Sequence, residues 1–250
     1  ATSPLSTNQK AYFTENGAVT DTVGENRVNF IRGDRSREDG ITYRLRSSRQ
    51  GDIVNSNIWY TGKPASNFSF SGYVAFAQAK KNRSPMIYVG GNDGMLHGFS
   101  ASDGSEKIAY VPKGIMSRLP SLTKPGYTHQ FFVDGSPFTG DVYSDDEWKT
   151  MLVGTLGAGG RGYFVLDVTD PTTFTVTDAA TVVVLDNTLS QRATASAPAD
   201  PSGTDADLGH IFSAPVPDAV YSMRASQIAK LNNGRWATVL GNGYNSVNEK

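Results

Sequence analysis

Arg32-Gly33-Asp34 spells the tripeptide that integrins read, so its chemistry would be recognition: a turn presenting one guanidinium and one carboxylate. The plainer reading has Gly33 permitting a turn while Arg32 and Asp34 pair locally or face water. Other residues invite chemical readings of their own. The run Gly157-Ala158-Gly159-Gly160-Arg161-Gly162 could cradle an anion with backbone amides. Phosphate loops of that kind usually open a helix, whereas β-prone Tyr163-Phe164-Val165 follows here, so the run is expected to be a hairpin turn.

The carboxylates Asp200, Asp205 and Asp207 share one stretch, but only Asp205 and Asp207 keep the alternate spacing of a calcium loop, and Leu208 follows where glycine would serve. Asp145-Asp146-Glu147 reads as a solvated tip. His97, His129 and His210 are too far apart for a local metal motif, and His97 fits a strand. No Gly-x-Ser-x-Gly elbow supports Ser136 or Ser213 as a nucleophile. Trp59, Trp148 and Trp236 are expected in packing rather than as a sugar platform. The residues thus assign no catalytic, cofactor-binding or metal-binding group.

Composition narrows the field further. Net charge is −1, from 23 basic and 24 acidic residues, which gives no basic footprint for nucleic acid and no polybasic membrane patch. No apolar run reaches the roughly 18 residues of a membrane span, and Ala1-Thr2-Ser3-Pro4 shows no signal-peptide pattern. The absence of cysteine removes disulfides, thiolate metal sites and thiol nucleophiles. With 26 Gly and 12 Pro among 250 residues, helices are disfavoured and turns abound. The chain reads as all-β.

The elements that must position these residues repeat. An extended stretch ending in Ser recurs as Asp52–Trp59, Phe132–Phe138 and His210–Val216, with the serines Ser56, Ser136 and Ser213 at 80- and 77-residue spacing. Each is followed by an apolar strand and a glycine turn. Met86–Gly91 leads through Asn92-Asp93-Gly94 to Met95–Phe99, and Met151–Gly154 leads through the glycine run to Tyr163–Val168. Ala237–Tyr244 begins a third copy, and the sequence ends before a return strand.

Small antiparallel sheets repeated in this way predict a β-propeller. A period near 80 is about twice that of a compact blade, so long insertions separate the core strands. Tyr73–Lys80 is the one persuasive helix, Ile115–Leu119 a short helical turn, and residues 187–209 a polar loop. Rings close with about four or more blades. The expectation is therefore an incomplete, modified propeller with a few short helices. Residues 1–51 form an N-terminal arm, and 52–250 form blades at about 52–130, 131–208 and an incomplete 209–250.

Val28–Asp34, Gly51–Ser56, Met86–Phe99, Gly154–Asp170, Asp207-Leu208-Gly209 and Gly241–Ser246 resemble the PilC/PilY family of type IV pilus tip-associated adhesins and biogenesis factors. The similarity is to the C-terminal propeller-like domain. The run Gly91-Asn92-Asp93-Gly94-Met95-Leu96-His97 is its specific part. The resemblance implies a non-enzymatic adhesion and assembly module at the cell surface or pilus tip, exported, supporting pilus biogenesis, twitching motility, attachment and virulence. Pilin or minor pilin-like proteins are the implied partners, with a host-cell receptor reached through Arg32, Gly33 and Asp34. Family members carry an Asp-x-Asp-x-Asp-Gly calcium loop in a later blade; the resemblance implies calcium in a longer parent and no calcium ligand in these residues. The alternatives are a quinone-cofactor dehydrogenase-like propeller and a glycan-binding propeller. Scattered tryptophans and unequal insertions weigh against the dehydrogenase.

Overall fold

The computed structural model describes residues 5–14, 22–174, 179–189, 207–212 and 214–246. Two short helices, α1 (Thr7–Phe13) and α2 (Thr22–Ile31), precede the sheets. The first sheet is a four-stranded antiparallel meander: β1 (Trp59–Thr61), β2 (Met86–Gly90), β3 (Leu96–Ser100) and β4 (Glu106–Tyr110). A second meander repeats it with β5 (Phe138–Ser144), β6 (Glu147–Thr155), β7 (Tyr163–Asp167) and β8 (Val183–Asp186). Two strands, β9 (Ile228–Lys230) and β10 (Trp236–Thr238), form a third sheet. This is propeller architecture, and among the described residues the ring does not close.

The strand residues show why the sheets stack. β2 (MIYVG) and the second half of β6 (MLVGT) are buried almost without alternation, because a central strand in a stacked blade has both faces covered. β1 is three residues long, and β4 carries Glu106 and Lys107 on its exposed edge; a short strand and a charged one are two ways to protect a sheet edge.

The insertions carry the helices. Between β1 and β2 lies α3 (Tyr73–Ala79), the helix read from the sequence. Between β4 and β5 a 3₁₀ segment, Lys113–Thr123, contains the expected Ile115–Leu119 turn. It lays Ile115, Leu119 and Leu122 over the main core, where Tyr88 and Leu96 of the first sheet meet Leu152 and Phe164 of the second. Phe13 of α1 enters the same core, so the N-terminal arm packs onto the blades. A second cluster joins all three sheets through Trp59, Phe138, Met151 and Ile228.

Pairing follows the two repeated signatures: Ile87 faces Phe99, Val89 faces His97, and Leu152 faces Leu166. The third unit differs from expectation. Its strand is Trp236–Thr238, which stops short of the glycines at 241 and 243. It pairs backward with Ile228–Lys230 across an Asn232-Asn233-Gly234 turn in which Gly234 has φ +87°. Ser213 and residues 190–206 of the polar loop, including Asp200 and Asp205, lie outside the described residues.

Candidate functional site

The Arg-Gly-Asp tripeptide is the C-terminal cap of α2. The Gly33 amide donates to the Phe30 carbonyl and the Asp34 amide to the Asn29 carbonyl, both at 2.9 Å, the paired bonds of a Schellman motif. Gly33 takes φ +98°, which a side chain would resist, so the glycine is explained by the helix end alone. Arg32 and Asp34 are exposed on either side of it. The Asp34 carboxylate accepts the Ser36 amide at 2.8 Å, and that bond holds its carboxyl below the ordinary range.

The chain that follows is pinned to this cap by arginine. Arg46 stacks 3.6 Å over the Phe30 ring, donates to the Phe30 and Asp34 carbonyls, and pairs with Glu38 at 2.7 Å. Arg49 Nε donates to the Gly33 carbonyl at 3.1 Å. Asp39 accepts the amides of Tyr43, Ile41 and Thr42, bonds that hold its carboxyl far below the usual range and fix the turn before Arg44.

Between this segment and the first sheet opens a cleft of about 520 Å³, lined by Arg44, Arg46, Arg49, Asp52, Asn92 and Tyr127 among others. Its floor is the Asn92-Asp93-Gly94 turn, which does far more than reverse the chain. Asn92 donates to Asp52 at 3.2 Å and accepts the Phe132 amide at 3.0 Å, joining the first repeat to the second. Asp93 accepts the Gly51 amide at 2.6 Å and contacts His97 Nε2 at 3.0 Å. His97 Nδ1 lies 2.6 Å from Glu106. Burial draws the His97 pKa down, but the bonds and charges of Asp93 and Glu106 outweigh it and leave the group raised. His97 is thus a buried histidine within a blade, with a carboxylate at each ring nitrogen.

The carboxylates Asp52 and Asp93 are therefore engaged, whereas Arg44 and Arg49 on the wall have no carboxylate partner among the described residues. Between Arg32 and Arg49 the sequence holds six arginines against three carboxylates, Asp34, Glu38 and Asp39. The whole-chain balance near zero concealed this local excess. A windowed charge count would have found it.

The remaining sequence candidates fall into place as framework. The glycine run joins β6 to β7 as expected, but as a buried connection rather than an open turn. A Cβ on Gly159 would stand 1.6 Å from the Phe132 carbonyl oxygen, so the glycine allows the two backbones to touch. Asp145 and Asp146 take φ +53° and +63° at an exposed hairpin tip. Trp59 and Trp148 are buried and half-buried Trp236 packs against them: the Trp148 ring lies 5.6 Å from Phe68 and 5.6 Å from Trp236, and its Nε1 donates to the Ser71 carbonyl. His129 pairs with Asp52, and His210 Nδ1 lies 2.7 Å from the Gly157 carbonyl. Ser136 accepts the Asn57 amide. Among the described residues no three His, Asp or Glu are grouped to hold a metal, and no helix is long and apolar enough to cross a membrane.

Residues 50–250 match the model of the PilY1 beta-propeller domain. The chain belongs to that family. It is 42% identical over 242 residues to the type IV pilus biogenesis factor PilY1 of Pseudomonas aeruginosa strain PAK, covering 93% of this chain and 18% of that protein. A PilY1 homolog of Xylella fastidiosa strain Temecula1 is 40% identical over 230 residues, 88% of this chain and 16% of its own length. The crystal structure of the Pseudomonas aeruginosa PilY1 C-terminal domain superposes with a TM-score of 0.52 at 34% identity, over 76% of this chain and 32% of that one. The chain spans under a fifth of the length of these curated relatives. The PilY1 propeller match begins close to Gln50, where the arginine-rich segment gives way to the first blade.

Proposed function

We propose that the chain is a binding and assembly module of a type IV pilus tip-associated protein, acting without catalysis at the cell surface. The observation that carries this reading is the 42% identity, over nearly the whole chain, to a protein named a type IV pilus biogenesis factor. The side chains support it. The buried polar groups that could do chemistry, Asp93, His97, Asp134, Ser136 and Asp141, are bound to one another, to backbone or, for Asp141, to the Tyr73 and Thr150 hydroxyls. Loops on a rigid β scaffold are where recognition resides. Pilin or minor pilin-like proteins are the partners of this reading, and calcium belongs to other segments of the longer protein.

A host-cell receptor is a second partner, favoured by the exposure of Arg32 and Asp34 on a rigid helix cap. Asp34→Glu retains the charge while lengthening the side chain, and it should abolish receptor binding without altering piliation. Replacing the matching segment of Pseudomonas aeruginosa PilY1 by residues 50–250 tests the main reading. Restored surface pili and attachment support it. A stable, exported chimera that leaves cells bare counts against it.

A further inference from the structure

We propose that the Arg44–Arg49 cleft binds the carboxylates of an acidic segment of a partner protein. This rests on the reading of the chain as a partner-binding module and adds the chemistry of the partner.

Arg44 is the central observation. Its guanidinium lies 4.3 Å over the Tyr127 ring, its Nε is buried with no acceptor, and no carboxylate of the described residues stands within ion-pair distance. Burial pulls its pKa below the ordinary value, the direction expected of a cation with too little compensation. A buried donor left without a partner is costly, and an arriving anion removes that cost. The neighbouring carboxylates are not available to it: Glu38 is held by Arg35 and Arg46, Asp52 by His129 and Asn92, and Asp93 by His97 and Gly51.

Arg49 adds a second cation on the same wall, with Nε on the Gly33 carbonyl and its terminal nitrogens directed to no carboxylate of the described residues. A guanidinium with free nitrogens matches a carboxylate in fork geometry. The volume of about 520 Å³ suits a few residues of chain.

A protein segment fits better than an acidic sugar. Sugars stack on open aromatic faces, and here Arg44 covers Tyr127 while Arg46 covers Phe30. Leu45 and Ile53, 65% and 44% exposed, give the cleft apolar shoulders that would accept aliphatic side chains beside the acidic ones.

The test titrates the intact protein with a fluorescein-labelled glutamate-rich peptide, its glutamine counterpart, and N-acetylneuraminic acid. Binding of the glutamate peptide should weaken at least about tenfold, which is ~1.4 kcal/mol, in the glutamine version. Arg44→Gln and Arg49→Gln should each weaken it similarly, with unchanged circular dichroism and thermal midpoint. Ser47→Glu, at an exposed cleft residue, places a repelling charge without removing a contact and should do the same. Equal affinity for the two peptides, affinity indifferent to all three substitutions, or binding of the acidic sugar alone would overturn the proposal. Piliation is read separately in cells: pili lost on deleting the propeller, with no carboxylate-dependent binding, would refute this inference and leave the module reading intact.

Discussion

The buried Asp134 carboxylate accepts the main-chain amide of Asn55 at 3.1 Å and its side-chain amide at 2.6 Å, across 79 residues of chain. Two residues on, Ser136 Oγ accepts the Asn57 amide at 2.9 Å. The same extended stretch that opens the second repeat thus clamps the stretch that opens the first. Ser136 supplies an acceptor to irregular backbone of the first repeat, while Ser56 accepts the Gly90 amide within its own repeat at 2.8 Å.

Asp134→Ala removes the buried carboxylate that accepts both Asn55 amides and should destabilise the fold by about 1–3 kcal/mol, read from urea unfolding. Ser136→Ala should cost less, about 1 kcal/mol, because one neutral bond is lost. Equal stability of both variants to the parent would mean the clamp contributes nothing.

The Asp93–His97–Glu106 contact predicts a pH dependence of fixed sign. His97 has a raised folded pKa, so its contribution is fully present below the unfolded value near 6.5 and is lost as pH rises through the folded one. The difference in thermal midpoint between the parent and His97→Gln should therefore shrink as pH rises from 6 through that window. A difference independent of pH would show that His97 is held neutral.

Gly159→Ala places a methyl group against the Phe132 carbonyl, whose backbone atoms are the nearest neighbours and cannot yield as a flexible side chain would. A loss of about 1–3 kcal/mol or more is expected, with soluble yield falling accordingly. Gly126→Ala, with nothing within 4 Å of the new Cβ, is the matched control and should be near neutral.

Much of this arrangement was legible in the sequence. The pairing of β2 with β3 and of β6 with β7 follows from apolar runs bracketing glycine turns, because those turns act over a few residues and leave a local record. The aromatic burial of Trp148 was legible too. The third unit was legible only in part, since the Asn232-Asn233-Gly234 turn joins strands of only three residues each and the first of them, Ile228–Lys230, ends in a charge and not in an apolar run. The cleft was hidden for another reason. Arg44 meets Tyr127 only after the arm folds back on the first blade. A net charge of −1 carries no trace of a cationic wall assembled that way.

Trp148 makes the most demanding packing prediction. It meets Phe68, Tyr73 and Trp236 and is 7% exposed, so Trp148→Ala should cost about 3–5 kcal/mol. Tyr73→Phe should cost less, about 1.5–3 kcal/mol, by removing one hydroxyl donor, 2.7 Å away, from buried Asp141. Chemical unfolding of both variants ranks the ring cluster against the hydrogen bond.

The central claim, that this propeller segment serves pilus assembly and attachment, is tested most directly by counting surface pili on cells whose parent gene lacks residues 52–246, with the shortened protein confirmed present and exported. The account predicts a marked loss of pili and of attachment, restored by the intact gene. Unchanged piliation, twitching and attachment in that strain would contradict it.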